Sequence, residues 1–294
     1  MTRYDHFIRL LVMITLIILG LLLTAIGSGA IMLLSGISLD DLMNLQKTGT
    51  GSLTPNLTRI LLIAQHVLTF ILPALAFGYL YYRKDWLQGL RLSVSPSLLL
   101  AILGIFFLVA AYPLVNLGFM VNETIPMPAW ALDFENQAEE TMKALLKMDS
   151  PFVFLANLII IAILPGIGEE LVFRGVLQKQ LGFIFENKIL AIWIAAFIFS
   201  AIHLQFEGFL PRFVLGVVLG YLYYWTGNLW VTMIAHAFNN GIQIILLYVM
   251  KVDITEVDEM GSDQLQWWMI PMSVVVMYLV YNSILKNRKP VTDV

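Results

Sequence analysis

Apolar residues in this chain neither alternate nor keep to one helical face; they run in long blocks. Eight blocks stand out, at 8–34, 60–82, 98–120, 152–168, 189–203, 209–225, 229–250 and 267–285. A membrane-spanning helix needs roughly 20 predominantly apolar residues, within a range of about 17–25. The fourth and fifth blocks are short, and the fifth ends in His203. Short or interrupted spans often mark the functional centre of a membrane protein. The pattern predicts an all-α, polytopic transmembrane helix bundle of about eight spans. It is read as a single membrane domain over 1–294, with N-terminal spans in 1–120, a core in 152–250 and a last span at 267–285. The first block contains small residues (AIGSGA), but its apolar run exceeds the roughly 7–15 residues of a cleaved signal core. It reads as an uncleaved first helix.

Composition agrees with the blocks. Hydrophobic residues are 59% of the 294 and charged residues 13%, against nearly half and about a quarter in soluble domains. Mean hydropathy is +0.82. The absence of cysteine removes disulfides, thiolate metal sites and a cysteine nucleophile. A net charge of −3 with no basic patch gives no indication of nucleic acid.

The placement of charge sets an orientation. With the N-terminus inside, the inner segments hold Arg3, Arg9, Arg83, Lys84, Arg91, Arg174, Lys179, Lys188, Lys286, Arg288 and Lys289, which is 11 of the 17 Lys and Arg. The outer segments hold Lys47, Arg59, Lys143, Lys147, Arg212 and Lys251. Lys and Arg prefer the cytoplasmic side, so both termini are expected there. Acidic residues lie outward, in Glu135, Glu139 and Glu140 and again in Asp253, Glu256, Asp258, Glu259 and Asp263. The connections 35–59 and 121–151 fall outside on this reading, the second as a solvated loop with a short surface helix. No internal repeat or low-complexity tract is evident.

Ionisable groups at membrane depth are costly, so each is a functional hypothesis by default. Most of them here lie in 169–240. Glu169, Glu170 and Arg174 stand in GEELVFRG, Phe199 and His203 in FSAIHLQF, and His236 and Asn240 in WVTMIAHAFNNG. Residues four apart share a helical face. Glu170 can therefore pair with Arg174, Phe199 can pack beside His203, and His236 and Asn240 project together. Glu169 points about 100° away from Glu170, so the two acids should do different work. A carboxylate in a partly dry cavity is a useful base toward water; imidazoles and a carboxamide can share the water or answer an oxyanion. Alternatively, Glu169, His203 and His236 could bind zinc with water in the fourth position. The duller readings are a structural Glu170–Arg174 pair, an Asn240 that satisfies a backbone group, an interhelical hydrogen bond for His66, a surface position for His6, and a small-residue packing face at Gly216 and Gly220.

These three strings, in this order, resemble the CPBP family, the CAAX-protease and bacteriocin-processing (Abi) membrane peptidases. Its EExxxR, FxxxH and HxxxN elements are met by Glu169, Glu170 and Arg174, by Phe199 and His203, and by His236 and Asn240. The resemblance covers roughly 152–248. It implies a membrane-embedded endopeptidase of the bacterial inner membrane acting on a membrane-associated or lipidated protein. In that family Glu169 would activate water with His203, His236 and Asn240 would form the oxyanion side, and Glu170, Arg174 and Phe199 would support them. The family has been described both as metallopeptidases and as metal-independent glutamate peptidases, so no cofactor and a zinc ion both stay open; Asn rather than Asp at 240 leans against a tightly held metal. A proton-coupled transporter and a non-catalytic immunity or scaffold protein are the competing classes.

Straight spans would leave Glu169 near the inner end of the fourth helix and His203 near the outer end of the fifth. They meet only if the fourth helix continues past Pro165–Gly166, or if the fifth is displaced or re-entrant. A departure from regular helix is expected around 165–168.

Overall fold

The computed structural model describes residues 1–38, 54–93, 95–251 and 265–288. Lys47, Lys289 and the acidic residues at 253–263 lie outside these. Among the described residues there are helices and no strands. In chain order the helices are α1 (Arg3–Leu34), α2 (Pro55–Gly89), α3 (Leu98–Glu123), α4 (Ala129–Leu146), α5 (Pro151–Phe185), α6 (Lys188–Ala201), α7 (Phe209–Thr226), α8 (Leu229–Met250) and α9 (Met269–Asn287). All eight apolar blocks are helical. Six helices, α1, α2, α3, α5, α8 and α9, are long and apolar enough to cross a membrane. The 14-residue α6 is too short, and α7 carries Arg212 within its apolar run.

The apolar surface explains why this bundle belongs in lipid. Only 11% of the most apolar window of α1, and the same share of α9, is buried inside the protein. Leu19, Leu22 and Ile26 on α1 and Val275, Tyr278 and Leu279 on α9 are more than half exposed. Contiguous apolar surface on this scale is untenable in water. The chain is an integral, multi-pass membrane protein.

Cross-links at one end gather both described termini. Arg3 pairs with Glu186 at 2.5 Å, Lys179 Nζ donates to the Gly89 carbonyl at 3.1 Å and Trp230 Nε1 to the Leu92 carbonyl at 3.0 Å. Arg288 Nη1 donates to the Trp225 carbonyl at 2.8 Å. His6, placed on the surface by sequence, is buried here; its Nδ1 meets Gln180 Oε1 at 2.8 Å and its ring stacks on Phe183. At the opposite end the surface helix α4 is tied in by Arg59. Its guanidinium donates to Asn157 Oδ1 at 2.8 Å and to the Leu145 carbonyl at 3.0 Å.

The largest departure from expectation is α5. It runs for 35 residues, straight past Pro165. Proline lacks the N–H that would meet the carbonyl of residue i−4 and clashes with that carbonyl. Here the turn before it, Leu158–Ile163, is opened to a π-helical turn, which moves that carbonyl aside. The same device appears in α2, where the π turn Val67–Ile71 precedes Pro73. A third wide turn, Leu171–Gln178, precedes no proline. Its i→i+5 pattern holds more than four residues per turn, so Glu170, Arg174 and Gln178 stack nearly in line.

Helix α7 packs against α5 and α6 through the predicted small-residue face. A Cβ at Gly216 would stand 3.1 Å from Ala196 Cβ and 3.2 Å from Ala196 Cα; one at Gly220 would meet Ile192 Cγ2 at 2.7 Å. Without side chains, both glycines leave their carbonyls open to α5: Arg174 Nη2 donates to Gly216 O at 2.9 Å and Gln178 Nε2 to Gly220 O at 3.1 Å. Gly216→Leu should therefore force α6 and α7 apart and lower the unfolding midpoint of the detergent-solubilised protein. Overpacking of this kind costs about 1–3 kcal/mol. Gly182→Ala is the control, because a Cβ there meets nothing nearer than 3.9 Å.

Candidate active site

The expected separation of Glu169 and His203 is removed by helix lengths. Helices α5 and α6 form a tight hairpin through Glu186 and Asn187, whose side chain caps α6. Glu169 lies 16 residues before Phe185, and His203 lies 15 residues after Lys188. At 1.5 Å per residue both stand roughly 22–24 Å from the same hairpin. The shortness of α6 stops His203 at that depth instead of carrying it to the far surface.

His203 sits in the turn that follows α6. Its Nδ1 lies 2.8 Å from the Phe199 carbonyl. A carbonyl only accepts, so Nδ1 carries the proton and the neutral ring presents Nε2 as an acceptor. The next residue, Leu204, has φ +54°, an uncommon left-handed conformation for a bulky side chain. Surrounding bonds hold the turn: Ser200 Oγ donates to Phe209 O at 2.6 Å, Asn122 Nδ2 to Phe206 O at 2.7 Å, and Glu207 N to Glu135 Oε1 on α4 at 3.0 Å.

His236 lies between the two acids. Glu170 Oε1 accepts from Arg174 Nη1 at 2.6 Å and faces His236 Nδ1 at 2.9 Å. With Glu170 held as a carboxylate by the guanidinium, Nδ1 is the donor. The other ring nitrogen, Nε2, points to Glu169 Oε2 at 3.8 Å. That is too long for a direct hydrogen bond and suited to a bridging water. The two acids thus have different partners, as their 100° offset predicts: Glu170 is spent on Arg174 and His236, and Glu169 has no closer charged partner. Both are buried, and Arg174 is 1% exposed. A Phe199 ring, also 1% exposed, packs 5.2 Å from His203, 5.9 Å from His236 and 5.0 Å from the Arg174 guanidinium.

Asn240 stands apart from this group. Its Nδ2 donates to the Ile161 carbonyl at 3.4 Å, and its Oδ1 accepts from Asn239 at 3.1 Å. Ile161 is four residues before Pro165, so Asn240 serves the carbonyl that the proline cannot. Two ionisable groups near the site belong to no motif. His66, at the start of the π turn in α2, lies within electrostatic reach of His203 and His236. Its buried Nδ1 has no hydrogen-bond partner among the described residues, so the interhelical bond expected of it is not found there. Arg212 lies within reach of Glu169 and His203. A charge inside an apolar block was the signal for Arg212.

Zinc requires three or more nitrogen or oxygen donors converging at about 2.0–2.2 Å. Among the described residues no three His, Asp or Glu side chains gather in such a cluster.

A buried acid–imidazole–guanidinium array sits inside a polytopic helical bundle. Within it, residues 151–242 match the family described as type II CAAX prenyl endopeptidase Rce1-like, and the motif resemblance is borne out over that segment. The chain is also 35% identical over 86 residues to the uncharacterized protein YpbD of Bacillus subtilis (strain 168). That alignment covers 28% of this chain and 41% of YpbD. No solved structure matches.

Glu170→Ala should leave Arg174 buried with only a carbonyl to answer its charge. Breaking one partner from a buried pair costs about 3–5 kcal/mol. Denaturant unfolding in detergent should show that loss for Glu170→Ala and a much smaller one for Glu169→Ala, which breaks no ion pair with Arg174. Equal stabilities for the two variants would refute the division of roles.

Proposed function

We infer that the protein is a membrane-embedded endopeptidase that hydrolyses a peptide bond in a membrane-associated or lipidated protein, with water activated by Glu169. The supporting observation is the uncommitted Glu169 carboxylate, set 3.8 Å from an imidazole whose orientation is fixed by Glu170 and Arg174. The matched family description, a CAAX prenyl endopeptidase, supports a prenylated protein C-terminus as the substrate class.

The steps follow from the groups present. A water held beside Glu169 gives a proton to Glu169 as its oxygen attacks the scissile carbonyl carbon. The carbonyl π electrons move to oxygen, giving a tetrahedral oxyanion. The C–N bond then breaks, and the proton held by Glu169 passes to the leaving nitrogen. His203 accepts a hydrogen of the water through Nε2 and keeps it aligned. His236, oriented through Nδ1 by Glu170, lines the site beside Glu169, and Asn240 supports the turn of α5 that leads to it. Phe199 excludes bulk water from between the two imidazoles. No step draws on a metal. The basic end, with both termini, faces the cytoplasm, following the preference of Lys and Arg for that side.

Purified protein in lipid should cleave members of a peptide panel that includes prenylated C-terminal peptides. Glu169→Gln and His203→Ala should each lower kcat by about 10²–10⁴ while leaving insertion and folding intact. A chelator should leave the wild-type rate unchanged. Cleavage retained by Glu169→Gln would sink the assignment of the base, and activity lost to chelator but restored by zinc would sink the metal-free mechanism.

A further inference from the structure

Arg212 is a charge at membrane depth that none of the three motifs includes. It lies in the first turn of α7 and is half-buried. The register between α5 and α7 fixes its level. Arg174 bonds to Gly216 and Gln178 to Gly220, both 42 residues on. One turn further toward the site, the same offset sets Arg212 at the height of Glu170 and its neighbour Glu169.

Neutral groups hold the guanidinium in place. Nη2 donates to Gln205 Oε1 at 2.8 Å and Nη1 to the Gln205 carbonyl at 3.5 Å, in the loop that carries His203. Among the described residues no carboxylate comes within ion-pairing distance of Arg212. Its acidic neighbours, at longer range, are Glu135 and Glu169. A half-buried cation without an ion pair is costly, and Gln205 positions it without neutralising it. Several other donors of the site are already engaged. Arg174 is committed to Glu170 and Gly216, His236 Nδ1 to Glu170, and one hydrogen of Asn240 Nδ2 to Ile161.

Arg212 and Glu169 form no ion pair and lie near enough to couple electrostatically. A carbonyl attacked by water on Glu169 would place its oxygen between them. Resting on the hydrolytic reading of the site, we propose that Arg212 is a catalytic residue whose guanidinium stabilises the oxyanion formed at the scissile carbonyl. The negative charge appears only during reaction, so a guanidinium that is fixed but not ion-paired favours the transition state over the bound substrate.

Two measurements test this. In kinetics, Arg212→Gln should lower kcat by about 10²–10³, the usual effect of losing one oxyanion donor, with KM little changed. In binding, a phosphinate analogue of the cleaved peptide is compared with the uncharged peptide in a Glu169→Gln background, which cannot turn over. Adding Arg212→Gln should abolish the preference for the anionic phosphinate and leave affinity for the neutral peptide unchanged. Gln205→Ala separates positioning from loop support, since a purely structural Arg212 would make both variants lose the two ligands equally. That equal loss, or an unchanged kcat in Arg212→Gln, would overturn the assignment while leaving Glu169-dependent hydrolysis standing. A wild type without Glu169-dependent cleavage would overturn both.

Discussion

A charge placed in hydrocarbon must be answered where it stands, and the rest of this structure follows from how Arg174 is answered. Its guanidinium meets Glu170 on its own helix and the Gly216 carbonyl on α7, and it lies over the Phe199 ring of α6. One side chain thereby holds three helices. Glu170, fixed in this way, fixes the tautomer and direction of His236 on α8. Only then does Glu169 acquire a partner at a distance suited to water rather than to a salt bridge. The supporting acid answers both Arg174 and His236 through one oxygen, and its neighbour stays available.

The π turns belong to the same economy. Pro165 sits four residues before Glu169, and in a regular helix it would have ended α5 short of the site. Widening the preceding turn lets the chain pass, and Asn240 covers the carbonyl involved. Asn240 is thus tied to the backbone irregularity as well as to any contact with a reacting group. Both tasks belong to the same carboxamide, since an amide nitrogen carries two hydrogens.

Much of this was legible in the sequence because it is local. Glu170 with Arg174 and Phe199 with His203 are pairs four residues apart, and Gly216 with Gly220 is a spacing of the same kind. The full length of α5 was hidden for the opposite reason. Glu169, Glu170, Arg174 and Lys179 break its apolar block, yet groups that answer Arg174, Glu170 and Lys179 come from Gly216, His236 and Gly89, 42, 66 and 90 positions away. A window of 20 residues reads such a stretch as a loop. Proline at 165 strengthened that error, because the opened turn that accommodates it leaves no mark in composition. His6 was misjudged in the same manner: Gln180 and Phe183, which bury it, lie at the other end of α5.

The paired bonds from Arg174 and Gln178 to Gly216 and Gly220 also restrict how the molecule can move. Sliding α5 against α7 by one turn would strand a buried guanidinium and a buried carboxamide together, so these helices travel as a rigid unit with α6 wedged between them. The surface helix α4 is fastened by separate contacts: Glu135 and Trp130 meet the loop between α6 and α7, and the Leu145 carbonyl meets Arg59 of α2.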